Sequence, residues 1–199
     1  MRCVLAAALF VISSLSSTLT AYAATGGIAA NPGHHVVPPG EVRTICLCAD
    51  DFGLHRGVNE AALRLASSER VHAIACLVGG EGWSVAWIAA LRRLDALGVD
   101  IGLHLDFTES PLLPRSRRRL PGLVADSLLG RVDAAQVRAE VRAQLHAFEQ
   151  VLGHGPAFVD GHQHVHQLPT IRRELLDELA DRYRGTRPSL RSTRPAGAP

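Results

Sequence analysis

The run Val99-Asp100-Ile101-Gly102-Leu103-His104-Leu105 is apolar but for Asp100 and His104. It is too short for an ordinary helix and reads as a buried strand. Working outward, Ser84 can cap a preceding helix that carries Trp87, Leu91 and Leu94 and stops at Gly98. Before it lie a second apolar run, Ala73–Val78, a helical pattern over residues 58–68 with Leu63 and Ala66 on one face, and a short β-rich run, Thr44–Ala49. Downstream, Asp133 with Gln136 reads as a capping box. The helix behind it places Val137, Val141, Leu145, Phe148 and Leu152 on one stripe before Gly153. Pro156–Asp160 starts a fourth strand, and Ile171, Leu175, Leu179 and Tyr183 mark a last helix. Four strand–helix repeats predict an α/β fold with a parallel sheet or barrel, its chemistry at the carboxyl ends of the strands. Residues 106–131 have no clean period. Their Arg115, Arg117, Arg118 and Arg119 read as a solvated loop, or in a second reading as the lining of an anionic or sugar-binding cleft.

A chain of 199 residues is expected to form one domain. Its net charge of +2 is too small to point to nucleic acid or a membrane surface as partner. All 21 basic residues are arginine, which excludes catalytic lysines, Schiff-base chemistry and a phosphate-loop lysine. Residues 1–23 read as a signal peptide: Arg2, an apolar core over 3–12, and the small-residue site Ala21-Tyr22-Ala23. That leader implies a periplasmic or secreted protein with no membrane contact after its removal. The alternative is a start placed too far upstream of a cytoplasmic protein. Residues 24–42 read as a Gly/Pro linker, 43–184 as the folded domain, and 185–199 as a tail that does not pack. Cys46, Cys48 and Cys76 lie in apolar runs and are expected as buried free thiols, which mildly favours a reducing compartment.

Three motifs at strand ends hold the metal-binding residue types. Asp50 and Asp51 are adjacent carboxylates that can divide labour, one on a cation and one removing a proton from water; alone they equally suit a solvated turn that caps the next helix. His104, taken alone, suits a hydrogen-bonded core position. In an extended strand Asp160, His162, His164 and His166 would share one face, alternate residues about 6.6 Å apart. Bonds of about 2.1 Å then allow one histidine to ligate while the others orient substrate, donate protons or support the ligands. One Asp and two His form a facial set with open positions, whose mixed donors suit Zn, Mn, Co or Fe and permit Mg.

Ala49-Asp50-Asp51-Phe52-Gly53-Leu54 with Gly57-Val58-Asn59, Gly102-Leu103-His104-Leu105 with Thr108-Glu109, and Asp160-Gly161-His162-Gln163-His164-Val165-His166 with Pro169 together resemble the YdjC-like carbohydrate deacetylases, a family that includes chitooligosaccharide deacetylase. The resemblance spans roughly residues 43–184. It implies an irregular TIM-like (β/α) barrel and one divalent cation, usually Mg, held by Asp51, His104 and His162. It further implies Asp50 as general base and hydrolysis of an N-acetyl group on an amino sugar. His164, His166 and Asp160 are expected behind the ligands or at the substrate. Family members usually continue for several more strands and carry a late His-Pro motif. A C-terminally shortened barrel is therefore expected, with open edges that invite self-association. The rival readings are a metal-dependent phosphoesterase and a catalytically weak metal- or sugar-binding remnant.

Overall fold

A computed structural model describes residues 45–193. Its elements are β1 (Cys48–Phe52), α1 (Arg56–Ser67), β2 (Ala73–Cys76), α2 (Ile88–Ala96), β3 (Asp100–Leu105), α3 (Leu120–Leu128), α4 (Ala134–Leu152), β4 (Phe158–Gly161), α5 (Pro169–Arg182) and β5 (Ser189–Leu190). The strands form one parallel sheet in the order β1-β2-β3-β4-β5. Right-handed crossovers in a sheet of sequential order put every connecting helix on the same side. The strand period then sorts the side chains. Ile74, Cys76, Ile101, Leu103, Leu105 and Val159 enter the main core with Leu91, Val141, Leu145, Phe148, Ile171 and Leu175 of the helices. The other face carries Cys46, Cys48, Ala73, Ala75 and Phe158 as a smaller cluster. Gly102 belongs to this inner face: a Cβ there would stand 2.4 Å from the Phe158 ring, so only glycine lets the ring lie across β3.

The sheet is strongly curled. In a flat sheet four steps of about 4.8 Å would hold β1 and β5 some 19 Å apart. Yet Arg191, just beyond β5, reaches Asp50 of β1 at 2.6 and 2.7 Å. Such curvature is that of a barrel segment. Among the described residues the segment is open, with β1 and β5 at its edges. No helix among them is long and apolar enough to cross a membrane.

Several sequence expectations need correction. The first strand is Cys48–Phe52, not Thr44–Ala49, so the acidic pair lies within it. Residues 106–131 are not one loop. They contain a 3-10 turn, Pro114–Ser116, and α3, a nine-residue helix with Pro121 in its first turn. A helix this short, apolar on most sides, shows no period. The capping box is half formed: Asp133 accepts from the Ala135 and Gln136 amides, but the Gln136 side chain donates to the Arg115 carbonyl instead of returning. Part of the tail expected over 185–199 packs against the sheet. Ser189 and Leu190 pair with Phe158 and Val159, and Arg191 is only 6% exposed. Its charge can be buried because two carboxylates meet it. Five strands are therefore present among the described residues, not four. The signal peptide and linker, residues 1–42, and residues 194–199 lie outside the described residues.

Candidate metal centre

The centre begins with an irregularity in β1. Ala49 pairs with Ile74 and Phe52 with Cys76, so Asp50 and Asp51 together oppose Ala75 alone. This bulge suspends the in–out alternation, and both carboxylates engage groups of the inner face. Asp51 adopts φ 63°, a left-handed conformation that costs a non-glycine residue about 1–3 kcal/mol. The turn that follows is clamped. Asn59, fully buried in α1, accepts from the Gly53 amide at 2.6 Å and donates to the Gly82 carbonyl at 2.9 Å. A Cβ at Gly53 would stand 2.3 Å from the Leu77 carbonyl oxygen.

Asp51 Oδ1 lies 2.9 Å from His162 Nδ1 and 3.2 Å from His104 Nε2. The donor atoms of these three residues all fall within 4.8 Å of one another. Two donors on one cation with bonds of about 2.1 Å stand about 3.0–3.4 Å apart, depending on the bond angle. The separations on Asp51 thus match a shared cation, and the carboxylate–imidazole donor set suits a divalent one. Behind the set, His104 Nδ1 donates to Asp160 Oδ1 at 2.6 Å, which fixes the ring with Nε2 toward the centre. Burial disfavours the His104 imidazolium, but the Asp160 carboxylate, with Asp51 and Asp50, outweighs it and pushes the pKa up to about 10. Burial acts against the Asp51 carboxylate too, and hydrogen bonds from His104 and His162 overcome it, holding Asp51 well below the usual range.

The histidine cluster is not an extended strand. β4 stops at Gly161, and His162–Gln167 forms a 3-10 turn in which Gln163 (φ 52°) and His164 (φ 60°) are left-handed. The shared face expected of Asp160, His162, His164 and His166 does not exist. His162 turns to Asp51, and Asp160 stands buried behind His104. His166 is buried with Nε2–H donating to the Arg191 carbonyl at 2.9 Å, and burial lowers its pKa. His164 is half-buried, its ring 6.4 Å from that of His166. Neither belongs to the group around Asp51.

A second constellation, Asp50, His104 and Asp160, has donor atoms equally close. Here a guanidinium already stands. Arg191 donates from Nη1 to Asp50 Oδ1 at 2.7 Å and from Nη2 to Asp50 Oδ2 at 2.6 Å, and Nη2 lies 2.7 Å from Asp160 Oδ2. Sequence reasoning missed Arg191. One arginine in a Pro/Ser-rich stretch carries no local signal. Beside the centre opens a cleft of about 580 Å³, lined by Thr108 and Glu109 after β3, Arg117, Arg118 and Arg119, and Gln163 next to His162. Three of the four arginines read as a solvated run therefore line a cleft. Asp106, accepting from the Thr108, Glu109 and Ser110 amides, and Glu140, accepting from Leu112 and Leu113, hold that wall in place.

Residues 44–198 match the family model described as YdjC-like protein. A carbohydrate deacetylase of Homo sapiens is 31% identical over 148 residues, 68% of this chain and 45% of that protein. A chitooligosaccharide deacetylase of Salmonella schwarzengrund is 33% identical over 140 residues, 65% of this chain and 52% of that protein. The chain spans about half the length of the curated relatives it matches. Among solved structures, a protein of Enterococcus faecalis V583 described as a cellobiose-phosphate cleavage protein superposes with TM-score 0.58 at 23% identity, covering 76% of this chain and 59% of that one. This last likeness concerns the fold alone.

Proposed function

We propose that this chain, which belongs to the YdjC-like protein family, acts as a metal-dependent carbohydrate deacetylase that hydrolyses the N-acetyl group of an amino sugar or short oligosaccharide. The observation that carries the reading is the convergence of Asp51, His104 and His162 from β1, β3 and the turn after β4, with Asp50 adjacent. These three residues would hold the cation. When bound, a divalent ion there supplies Lewis acidity, polarising the acetamide carbonyl and lowering the pKa of water. Mg is the proposed metal by family resemblance, and the donor set also accommodates Zn, Mn or Co.

The protein's own groups divide the remaining work. Asp50 is the general base. Its two oxygens each give one lone pair to Arg191 and keep another with which to take the proton from water. Asp160 holds the His104 ring in the ligating orientation. The adjoining cleft, with Arg117–Arg119 and Gln163 on its walls, gives the sugar polar partners. A phosphoesterase with a second cation is less well supported, because the Arg191 guanidinium already stands between Asp50 and Asp160.

The test is acetate release from N-acetylglucosamine oligomers by the purified chain, with and without a chelator. Release should stop with chelator and return on adding a divalent metal. Metal-dependent cleavage of phosphate monoesters with no acetate release would replace this reading by the rival.

A further inference from the structure

The Arg191 guanidinium ties three parts of the site together. It meets both oxygens of Asp50 in a two-pronged fork, and one prong also meets Asp160, which holds His104. A fork of parallel N–H···O contacts fixes the plane of a carboxylate as well as its position, which a single contact cannot do. Arg191 is supported in turn: its amide donates to the Val159 carbonyl at 3.0 Å, and its carbonyl accepts from His166. The backbone that carries the guanidinium is thus anchored to β4 and to the histidine turn. Besides Arg191, Asp50 has the Cys48 thiol as a side-chain partner. It sits in a bulge, beside a residue in a left-handed conformation, where the ladder that would orient it is interrupted.

We propose that Arg191 is a positioning residue that holds Asp50 in the orientation needed to take a proton, and keeps its carboxylate from turning onto the cation held by Asp51, His104 and His162. This rests on the deacetylase reading above. Two consequences separate it from a merely structural tie. A fixed positive charge so near the centre opposes cation binding, so removing it should leave the cation bound as tightly or more tightly. Turnover should fall while KM stays put, because the lost function concerns proton removal rather than sugar binding.

The experiment uses Arg191→Lys, which keeps the charge and loses the fork, and Arg191→Ala, which loses both. Each is assayed for metal stoichiometry, metal affinity, kcat and KM on N-acetylglucosamine oligomers. Arg191→Lys is expected to bind metal like the wild type, with kcat down at least about tenfold and KM within about threefold. Arg191→Ala is expected to lose about a hundredfold in kcat, to bind metal at least as tightly, and to recover part of its turnover with added guanidinium at millimolar concentration. Wild-type kcat in Arg191→Lys overturns the proposal. So does loss of metal from both variants, or failure of both to fold, since each makes Arg191 a structural tie. A wild type that binds metal but releases no acetate fails the deacetylase reading alone. Crystal structures of the metal-loaded wild type and Arg191→Lys then decide the positioning role: an Asp50 carboxylate oriented alike in both overturns it.

Discussion

On the outer side of β3, Ile101, Leu103 and Leu105 alternate in step and are sealed under the helices. On the inner side of the same strand, Gly102 makes room for a ring and His104 donates a hydrogen bond to a buried carboxylate. Along β2 and β3 the outer face follows the strand period. The inner face works by exceptions: a bulge that brings two adjacent aspartates to one side, left-handed residues at 51, 163 and 164, and an arginine that crosses the sheet to close the site. Stability and chemistry are thus divided between the two sides of one sheet, so substitutions on them should have separable effects.

The largest expected effect lies on the inner face. Asp50→Asn keeps the shape of the side chain and removes its basicity, so turnover should fall about 10²–10⁴-fold with the cation and the fold retained. His104→Ala, in contrast, should lose the cation itself. The checks are kcat and elemental analysis of both proteins. A cation retained at full stoichiometry in His104→Ala would break the assignment of that ring, and near-normal turnover in Asp50→Asn would reduce Asp50 to a structural role.

On the outer face, Leu145→Ala should cost about 2–5 kcal/mol by cavity formation, since Leu145 is fully buried in the main core. Urea unfolding measures it. The protein that remains folded should carry the cation at wild-type stoichiometry. A joint loss of stability and cation affinity would show that the faces are coupled rather than divided.

What the sequence disclosed follows the same division. The stripe Val137, Val141, Leu145, Phe148 and Leu152 and the runs of β2 and β3 were legible because burial on one side imposes a period. Residue type marked the three motifs, and the family resemblance picked out of them Asp51, His104 and His162, three residues that the fold brings together. What stayed hidden was conformational. Nothing in Asp160-Gly161-His162-Gln163-His164 marks the end of the strand at Gly161, because the turn is set by left-handed dihedrals that Gln163 and His164 rarely adopt. Arg191 was unreadable for a different reason. Its partners lie 31 and 141 positions away, and only the curl of the sheet brings Asp50 within reach.

Gly102→Ala tests the boundary between the faces. The added methyl would press on the Phe158 ring and should cost about 1–3 kcal/mol. Because the clash is with one side chain, Gly102→Ala combined with Phe158→Leu should recover much of that loss in urea unfolding. No recovery would mean that the backbone, not the ring, demands glycine here.

The smallest effect is a slope that is present in the cation-free protein and that the cation should level. In the cation-free protein the His104 pKa is raised from 6.5 to about 10, despite burial, by the Asp160, Asp51 and Asp50 carboxylates. A raised pKa contributes stability that is fully present below about 6.5 and is lost as pH climbs through about 10. The thermal midpoint in chelator should therefore drift down across that window. Cation binding at His104 Nε2 must expel the same proton, so affinity should rise with pH, by at most about tenfold per unit while His104 is the group that yields it. The gap between midpoints measured with cation and with chelator should then widen from pH 6.5 to 9. The outer face has no part in this: Leu145→Ala should lower both midpoints and leave the widening intact, whereas Asp160→Asn, which removes the charge that holds the His104 proton, should flatten it. A gap of constant width in the wild type would mean that the proton on His104 is not what the cation displaces.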